Sequence, residues 1–142
     1  MSNLVTTYDP KQFSLIVGGK IITGFADGEY ITVERNEQAY NLKVGVDGEG
    51  TRAKSNNKSG KVTIVLMQSS RSNDDLSAYA QLDESSNKGV VPVLGRDGSG
   101  RTAFGAATAW IQKFAPAPFA KEVGTRTWVL ETNELDVFIG GN

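Results

Sequence analysis

The sequence predicts a mainly β protein: a β-sandwich or barrel of about eight strands with one flanking α-helix and a long extended hairpin arm. Three observations lead there. Short runs rich in β-branched and aromatic residues recur along the chain, punctuated by Gly-Gly and Asp-Gly pairs. A single segment has convincing helical spacing of its apolar residues. Between two clear strand patterns, the 28 residues from Glu34 to Lys61 are polar, Gly-rich and basic. A compact domain rarely carries so long a connection unless the connection has a task.

Residues 12–17 (QFSLIV) and 20–25 (KIITGF) flank Gly18-Gly19. A Gly pair between β-rich runs predicts a two-residue hairpin, because both turn positions need positive φ. Asp27-Gly28 makes the next turn. In residues 29–34, Ile31 and Val33 alternate with Tyr30 and Thr32. Within the arm, residues 39–46 and 51–55 are expected to pair around the tip Asp47-Gly48-Glu49-Gly50, with little apolar surface to hold the hairpin alone. Residues 61–68 (KVTIVLMQ) form the strongest strand pattern, apolar enough to predict contacts on both faces.

The helix is expected to start at Ser72 as N-cap, with Asp74 and Asp75 in the first turn, where carboxylates favour the helix dipole. Leu76, Tyr79 and Ala80, with Leu82 on the adjoining flank, give it an apolar stripe, and it should end near residues 83–86. Residues 90–94 form a strand that Pro92 assigns to an edge or a bulge. Residues 96–101 turn, residues 102–114 form a strand, and the prolines at 116 and 118 make an extended linker. Residues 125–131 and 135–139 are expected to close the chain as a hairpin around Thr132-Asn133-Glu134. The whole, residues 1–142, is read as one domain with the arm, residues 35–60, inserted between two strands.

Composition narrows the function classes. The chain has no Cys and no His, so it has no thiolate chemistry and lacks the usual general base and commonest transition-metal ligand. No catalytic residue, metal site or cofactor is assigned. No apolar run approaches membrane-spanning length, and the N-terminal MSNLVTTYDPKQ has no basic start followed by an apolar stretch, so no signal peptide is expected. The net charge of -1 hides an asymmetry. From Arg35 to Lys61, six basic residues face three acidic ones; residues 71–88 and 121–142 each carry an excess of two acidic residues. The arm residues Arg35, Lys43, Asp47, Glu49, Arg52, Lys54 and Lys58 are therefore candidate contact residues between subunits. Asp74, Asp75, Glu131, Glu134 and Asp136 are the acidic docking candidates. Ordinary solvated faces are the plainer reading of such charge runs.

Other chemistry is weaker. Asp47-Gly48-Glu49-Gly50 and Asp97-Gly98-Ser99-Gly100 are fragments of calcium-loop patterns without the remaining ligands, and Asp-Gly is a favoured turn dipeptide. Glu29, Glu34 and Glu37 imitate a glycosidase carboxylate pair, but Glu29 and Glu34 point to opposite faces of one strand. The basic arm has one aromatic, Tyr40, and lacks the interleaved aromatics of single-strand binders. Trp128 is read as a core anchor, Trp110 as core or interface.

Several motifs together resemble a known family: Thr7-Tyr8-Asp9-Pro10, SLIVGG (14–19), GFADGEYITVER (24–35), KVGVDGEGTRAKSNNKSG (43–60), VVPV (90–93), WIQK (110–113) and the final LDVFIGGN (135–142). The sequence resembles the inner tail tube protein of contractile-tailed bacteriophages, a relative of the tube proteins of type VI secretion systems. The resemblance implies a β-sandwich or barrel with one flanking helix, assembled into hexameric rings that stack into a tube inside a contractile sheath. It implies as partners other copies of the chain, the tail sheath protein, the tape-measure protein, and baseplate and tail-terminator proteins, with DNA passing transiently through the lumen. It places the protein in the virion tail, assembled in the host bacterial cytoplasm. It also implies a long loop reaching the adjacent ring, and residues 35–60 are the segment suited to that role. The alternative is another phage tail or baseplate component, or a glycan- or nucleic-acid-binding β-sandwich module.

Overall fold

A computed structural model describes residues 5–142; the first four residues of the N-terminal stretch read above lie outside the described residues. A short 3-10 turn at Pro10–Gln12 leads into β1 (Phe13–Val17), β2 (Lys20–Ile21), β3 (Ile31–Arg35), β4 (Tyr40–Val44), β5 (Gly50–Lys54) and β6 (Gly60–Met67). The helix α1 (Ser72–Ser86) follows, then β7 (Val91–Asp97), β8 (Ala103–Ile111), β9 (Thr125–Thr132) and β10 (Asp136–Phe138). Eight strands share one antiparallel sheet in the order β2-β1-β7-β8-β9-β6-β3, with β10 alongside β8. Among the described residues, strands β4 and β5 pair only with each other.

The sheet curls until its ends meet. The segment leaving β2 runs back along β6: Phe25 bridges Leu66, the Ala26 N–H donates to the Val65 carbonyl at 3.0 Å, and the Val65 N–H donates to the Tyr30 carbonyl at 2.9 Å. Phe13 and Tyr30 meet edge to face at 6.1 Å, and the Tyr8 and Tyr30 hydroxyls are 2.7 Å apart. One apolar core fills the interior. Leu15, Val17, Val62, Ile64, Leu66, Phe104, Trp128 and Leu130 all point into it and are buried. A mainly β sandwich or barrel with one helix was expected, and the curled sheet is its realisation.

Local chemistry explains most of the elements. Gly18 and Gly19 have φ of +59° and +84°, the paired left-handed positions that a two-residue hairpin turn requires. Along β6, Val62, Ile64 and Leu66 are fully buried, while Thr63, Val65 and Met67 on the other face are only half-buried. The expected contacts on both faces are therefore uneven within one copy. Pro92 sits at a bulge: β7 lies between β1 and β8, and the register with β8 slips between Val91↔Ala109 and Val93↔Ala106. Its carbonyl still accepts the Gly18 N–H at 2.8 Å.

The helix ends close to where its stripe predicts but starts differently. Ser72 is not the N-cap. It is buried, and its hydroxyl accepts the Thr23 N–H at 2.9 Å, while Ser70 Oγ accepts the Ser72 N–H at 3.1 Å. Leu76 and Ala80 are buried, and the half-buried Tyr79 donates its hydroxyl toward the Val17 and Gly18 carbonyls. Leu82 is largely exposed; six residues after Leu76, it lies about 240° around the helix and leaves the stripe. Asn87, at φ +59°, stops the helix in the left-handed conformation.

The final hairpin does not form. Strand β10 pairs with β8 (Asp136↔Gly105), not with β9, and β9 pairs with the other end of β8 (Ala109↔Thr132). Both run along the same side of β8 in the same direction, so residues 133–135 make a jog rather than a reversal. Leu135 is the cause: it is fully buried and draws the chain inward between the two strands.

Candidate assembly surface: the projecting arm

The arm grows from one rung of the β3–β6 ladder, Arg35↔Gly60. Around that rung the chain is tied tightly. The Asn36 N–H donates to the Ser59 carbonyl at 3.0 Å, and the Leu135 N–H donates to the Lys58 carbonyl at 2.8 Å. The Arg35 guanidinium donates to the Leu135 carbonyl through Nε at 3.0 Å and Nη2 at 2.8 Å. Gly60 is needed for packing rather than for φ: a Cβ there would run into the Leu135 side chain and lie 2.8 Å from the Glu34 carbonyl oxygen.

Beyond the root, β4 and β5 pair from Tyr40↔Lys54 to Val44↔Gly50. The tip closes through Gly45 N–H donating to the Glu49 carbonyl at 2.8 Å and Gly48 N–H donating to the Gly45 carbonyl at 3.0 Å. Gly48 takes φ of +89°, and Asp47 Oδ1 accepts the Glu49 N–H at 3.2 Å. Every residue of both strands is exposed. The extended hairpin read from the sequence is present, with its tip at residues 45–49 rather than 47–50, because Gly50 pairs with Val44.

Its two faces differ chemically. The register and the period-two alternation of strands place Tyr40, Leu42 and Val44 on one face with Lys54, Arg52 and Gly50. Asn41, Lys43, Thr51 and Ala53 share the other. The Arg52 guanidinium lies 4.1 Å from the Tyr40 ring centroid, a cation–π contact across the ribbon. Leu42 is 72% exposed and Val46, beside the tip, is wholly exposed. The segment therefore exposes more apolar surface than its polar composition suggests. The signal was there in the alternation of Tyr40, Leu42 and Val44, masked by the polar residues between them.

The candidate contact residues fall into two groups. Lys43, Asp47, Glu49, Arg52 and Lys54 lie on the ribbon or its tip. Arg35 belongs to the root, and two of its donor nitrogens are engaged inside the chain. Lys58 is also at the root, 3.9 Å from Glu134, itself an acidic docking candidate. Of the other acidic candidates, Asp74 and Asp75 occupy the first turn of α1, Glu131 lies 4.0 Å from Lys61, and Asp136 is exposed on β10. These surface ion pairs contribute little to stability.

Elsewhere, polar groups serve the fold. Asp97 Oδ1 accepts both the Ser99 N–H at 3.0 Å and the Ser99 hydroxyl at 2.9 Å, the hydrogen bonding of a turn. Trp128, buried as expected, donates its indole N–H to Asn73 Oδ1 at 2.9 Å. Trp110 is half-buried. A cavity of about 480 Å³ lies beside Tyr8, Phe13, Tyr30 and Ile139. Burial, and then the hydrogen bond with Tyr8, push the Tyr30 pKa above the ordinary phenol range. Burial and the negative charge of Asp75 raise that of Tyr79.

The architecture is thus a curled β scaffold with a self-paired, exposed arm. The chain belongs to the bacteriophage PhiTE tail tube protein family, whose model matches residues 14–140. It is thus a phage tail structural protein. It is similar to "Structural protein ORF10" of Pseudomonas phage KPP10, with 29% identity over 150 residues covering 100% of this chain and 87% of that one. Its fold is similar to the tube-terminating cap of the anti-feeding prophage, with TM-score 0.60, 8% identity, and coverage of 97% of this chain and 95% of that one. The fold is also similar to a chain of the extended sheath-tube complex of an extracellular contractile injection system, with TM-score 0.59, 10% identity, and coverage of 93% and 91%.

Proposed function

We propose that the protein is the repeating subunit of a contractile tail's inner tube: copies close into hexameric rings, the rings stack, and the lumen conducts DNA during ejection. Family membership across residues 14–140 is the observation that carries this reading. The arm adds physical support. A ribbon with every strand residue exposed gains little within its own chain and gains most when another molecule covers it. Head-to-tail contacts that close into a ring and repeat along an axis generate a tube. The arm then spans from one ring to the next, with Arg52 and Lys54, on one face of the ribbon, toward acidic groups of the neighbouring subunit. The role is structural, with no catalytic step. The sheath, tape-measure, baseplate and terminator proteins are the partners of such a tube, which is assembled in the host cytoplasm and resides in the virion tail.

Negative-stain microscopy of the purified chain, alone and with an initiating baseplate complex, tests the reading. Rings and tubes are expected. A chain that stays monomeric at high concentration even with the initiator sinks it. The terminator and cap chains of related machines share this fold, which favours a second reading, a component present once per tail. Copy number separates the two, since a tube subunit is present in many rings per virion and a terminator in one.

A further inference from the structure

The arm's apolar face has a counterpart on the body of the same chain. On the outer face of the sheet, cross-strand register puts Leu94, Gly105 and Asp136 in one row and Arg96, Ala103 and Phe138 in the next. Leu94 is 56% exposed and Phe138 63%. Between them lies a groove of about 650 Å³, bordered by Pro92 and Ala107 and floored at Gly105. Leu94 leans over that glycine: an added Cβ would sit 3.4 Å from its Cδ1.

We propose that the Tyr40-Leu42-Val44 face of the arm docks in this groove on a second copy of the chain, an inference that rests on the self-assembling tube reading above. Shape is the first argument. The ribbon offers apolar side chains at every second residue, about 7 Å apart, which is also the spacing between the two rows of the groove. Charge is the second, and it fixes the direction. Laid along β8 with its tip toward Ala103, the ribbon brings Asp47 and Glu49 toward Arg96, and Arg52 toward Asp136. The reverse orientation opposes like charges at both ends. Apolar contact then holds the arm, and charge sets its register. A rival groove of about 360 Å³ beside α1, lined by Ala80, Asp83, Glu84, Ile111 and Phe114, is more polar and carries Lys113 beside its carboxylates. It offers less apolar surface to Tyr40, Leu42 and Val44.

The chain has no cysteine, so engineered pairs report cleanly. A full-length chain carrying Leu42→Cys and Leu94→Cys, oxidised after tube assembly, is expected to give a ladder of disulfide-linked species on a non-reducing gel. Neither single variant should give that ladder. Two further variants probe ridge and groove separately. Leu42→Asp places a charge in the apolar contact, and Gly105→Leu fills the groove, where the added Cβ meets only ordinary contacts. Each should cut tube yield at least tenfold while the melting curve of the soluble protein stays close to wild type. Tubes that form without the ladder overturn the docking site and leave the tube reading intact. So does a ladder from Leu42→Cys with Phe114→Cys in place of Leu94→Cys, or normal tube yield from Leu42→Asp. A wild-type chain that builds no tubes even with its initiator removes the tube reading, and this inference with it.

Discussion

The backbone carbonyl of Leu135 receives two hydrogen bonds from the Arg35 guanidinium, at 3.0 Å from Nε and 2.8 Å from Nη2. The two residues lie 100 positions apart, so this contact joins the root of the arm to the jog between β9 and β10. The Leu135 side chain fills the space that Gly60 leaves open. Carbonyl, side chain and glycine act as one unit. Leu135→Ala empties a fully buried site and is expected to cost about 2–5 kcal/mol. Gly60→Ala pushes a methyl group into the same site and is expected to cost about 1–3 kcal/mol. Urea unfolding followed by circular dichroism measures both; a loss under about 0.5 kcal/mol for either variant contradicts the packing described.

Asn73 ties the entry of α1 to the sheet. Its Nδ2 donates to the Met67 and Ser70 carbonyls, both at 3.0 Å, and its Oδ1 accepts the Trp128 indole N–H. Asn73→Ala strands a buried indole donor and is expected to cost about 1–3 kcal/mol. Tryptophan emission should shift as the indole loses its partner. Asn73→Asp retains the acceptor and should recover the emission maximum.

Alkaline pH should weaken the fold through Tyr30 and Tyr79. Both hold their protons more firmly in the folded chain than in the unfolded one, where phenols titrate near pH 10. Above that pH the unfolded state binds fewer protons than the native state, so stability falls as pH rises. The tyrosine contribution is complete below about pH 10 and is lost progressively above it. Melting temperature should therefore drop between about pH 10 and 12, and Tyr30→Phe should reduce the slope. An unchanged slope in Tyr30→Phe assigns the loss elsewhere.

Charge reversal on the arm separates assembly from folding. The triple variant Arg52→Glu, Lys54→Glu, Lys58→Glu changes exposed side chains only, so the melting midpoint should move little, within about 0.5 kcal/mol of wild type. Ring stacking should fail, and in the wild type it should weaken as salt rises from low to high concentration. Normal tubes from the triple variant, scored by electron microscopy, rule out charge as a contributor to the contact.

Much of this architecture was legible in the residues. Gly18-Gly19 announced the first hairpin because no other pair fits two left-handed positions so cheaply. The alternation of Val62, Ile64 and Leu66 announced the central strand, and Asp47-Gly48 the tip of the arm. The exceptions came where tertiary contacts override local signals. Ser72 has the residue type of a cap, but the Thr23 N–H claims its hydroxyl from 49 positions away. Thr132-Asn133-Glu134 has turn composition, but the burial of Leu135 turns the segment into a jog. The arm's apolar face was hidden for another reason: three large residues among many polar ones do not stand out until a strand register sorts them onto one side.

The arm's place in the chain also determines how it would respond to force. It is inserted between two neighbouring antiparallel strands, so tension on the tip acts on the Arg35↔Gly60 end of the β3–β6 ladder first. That is a peeling geometry, in which hydrogen bonds load one after another rather than together. The guanidinium clamp on Leu135 sits at the first rung to open. A pull on the arm therefore reaches the best-buried strand of the body only after this clamp has yielded.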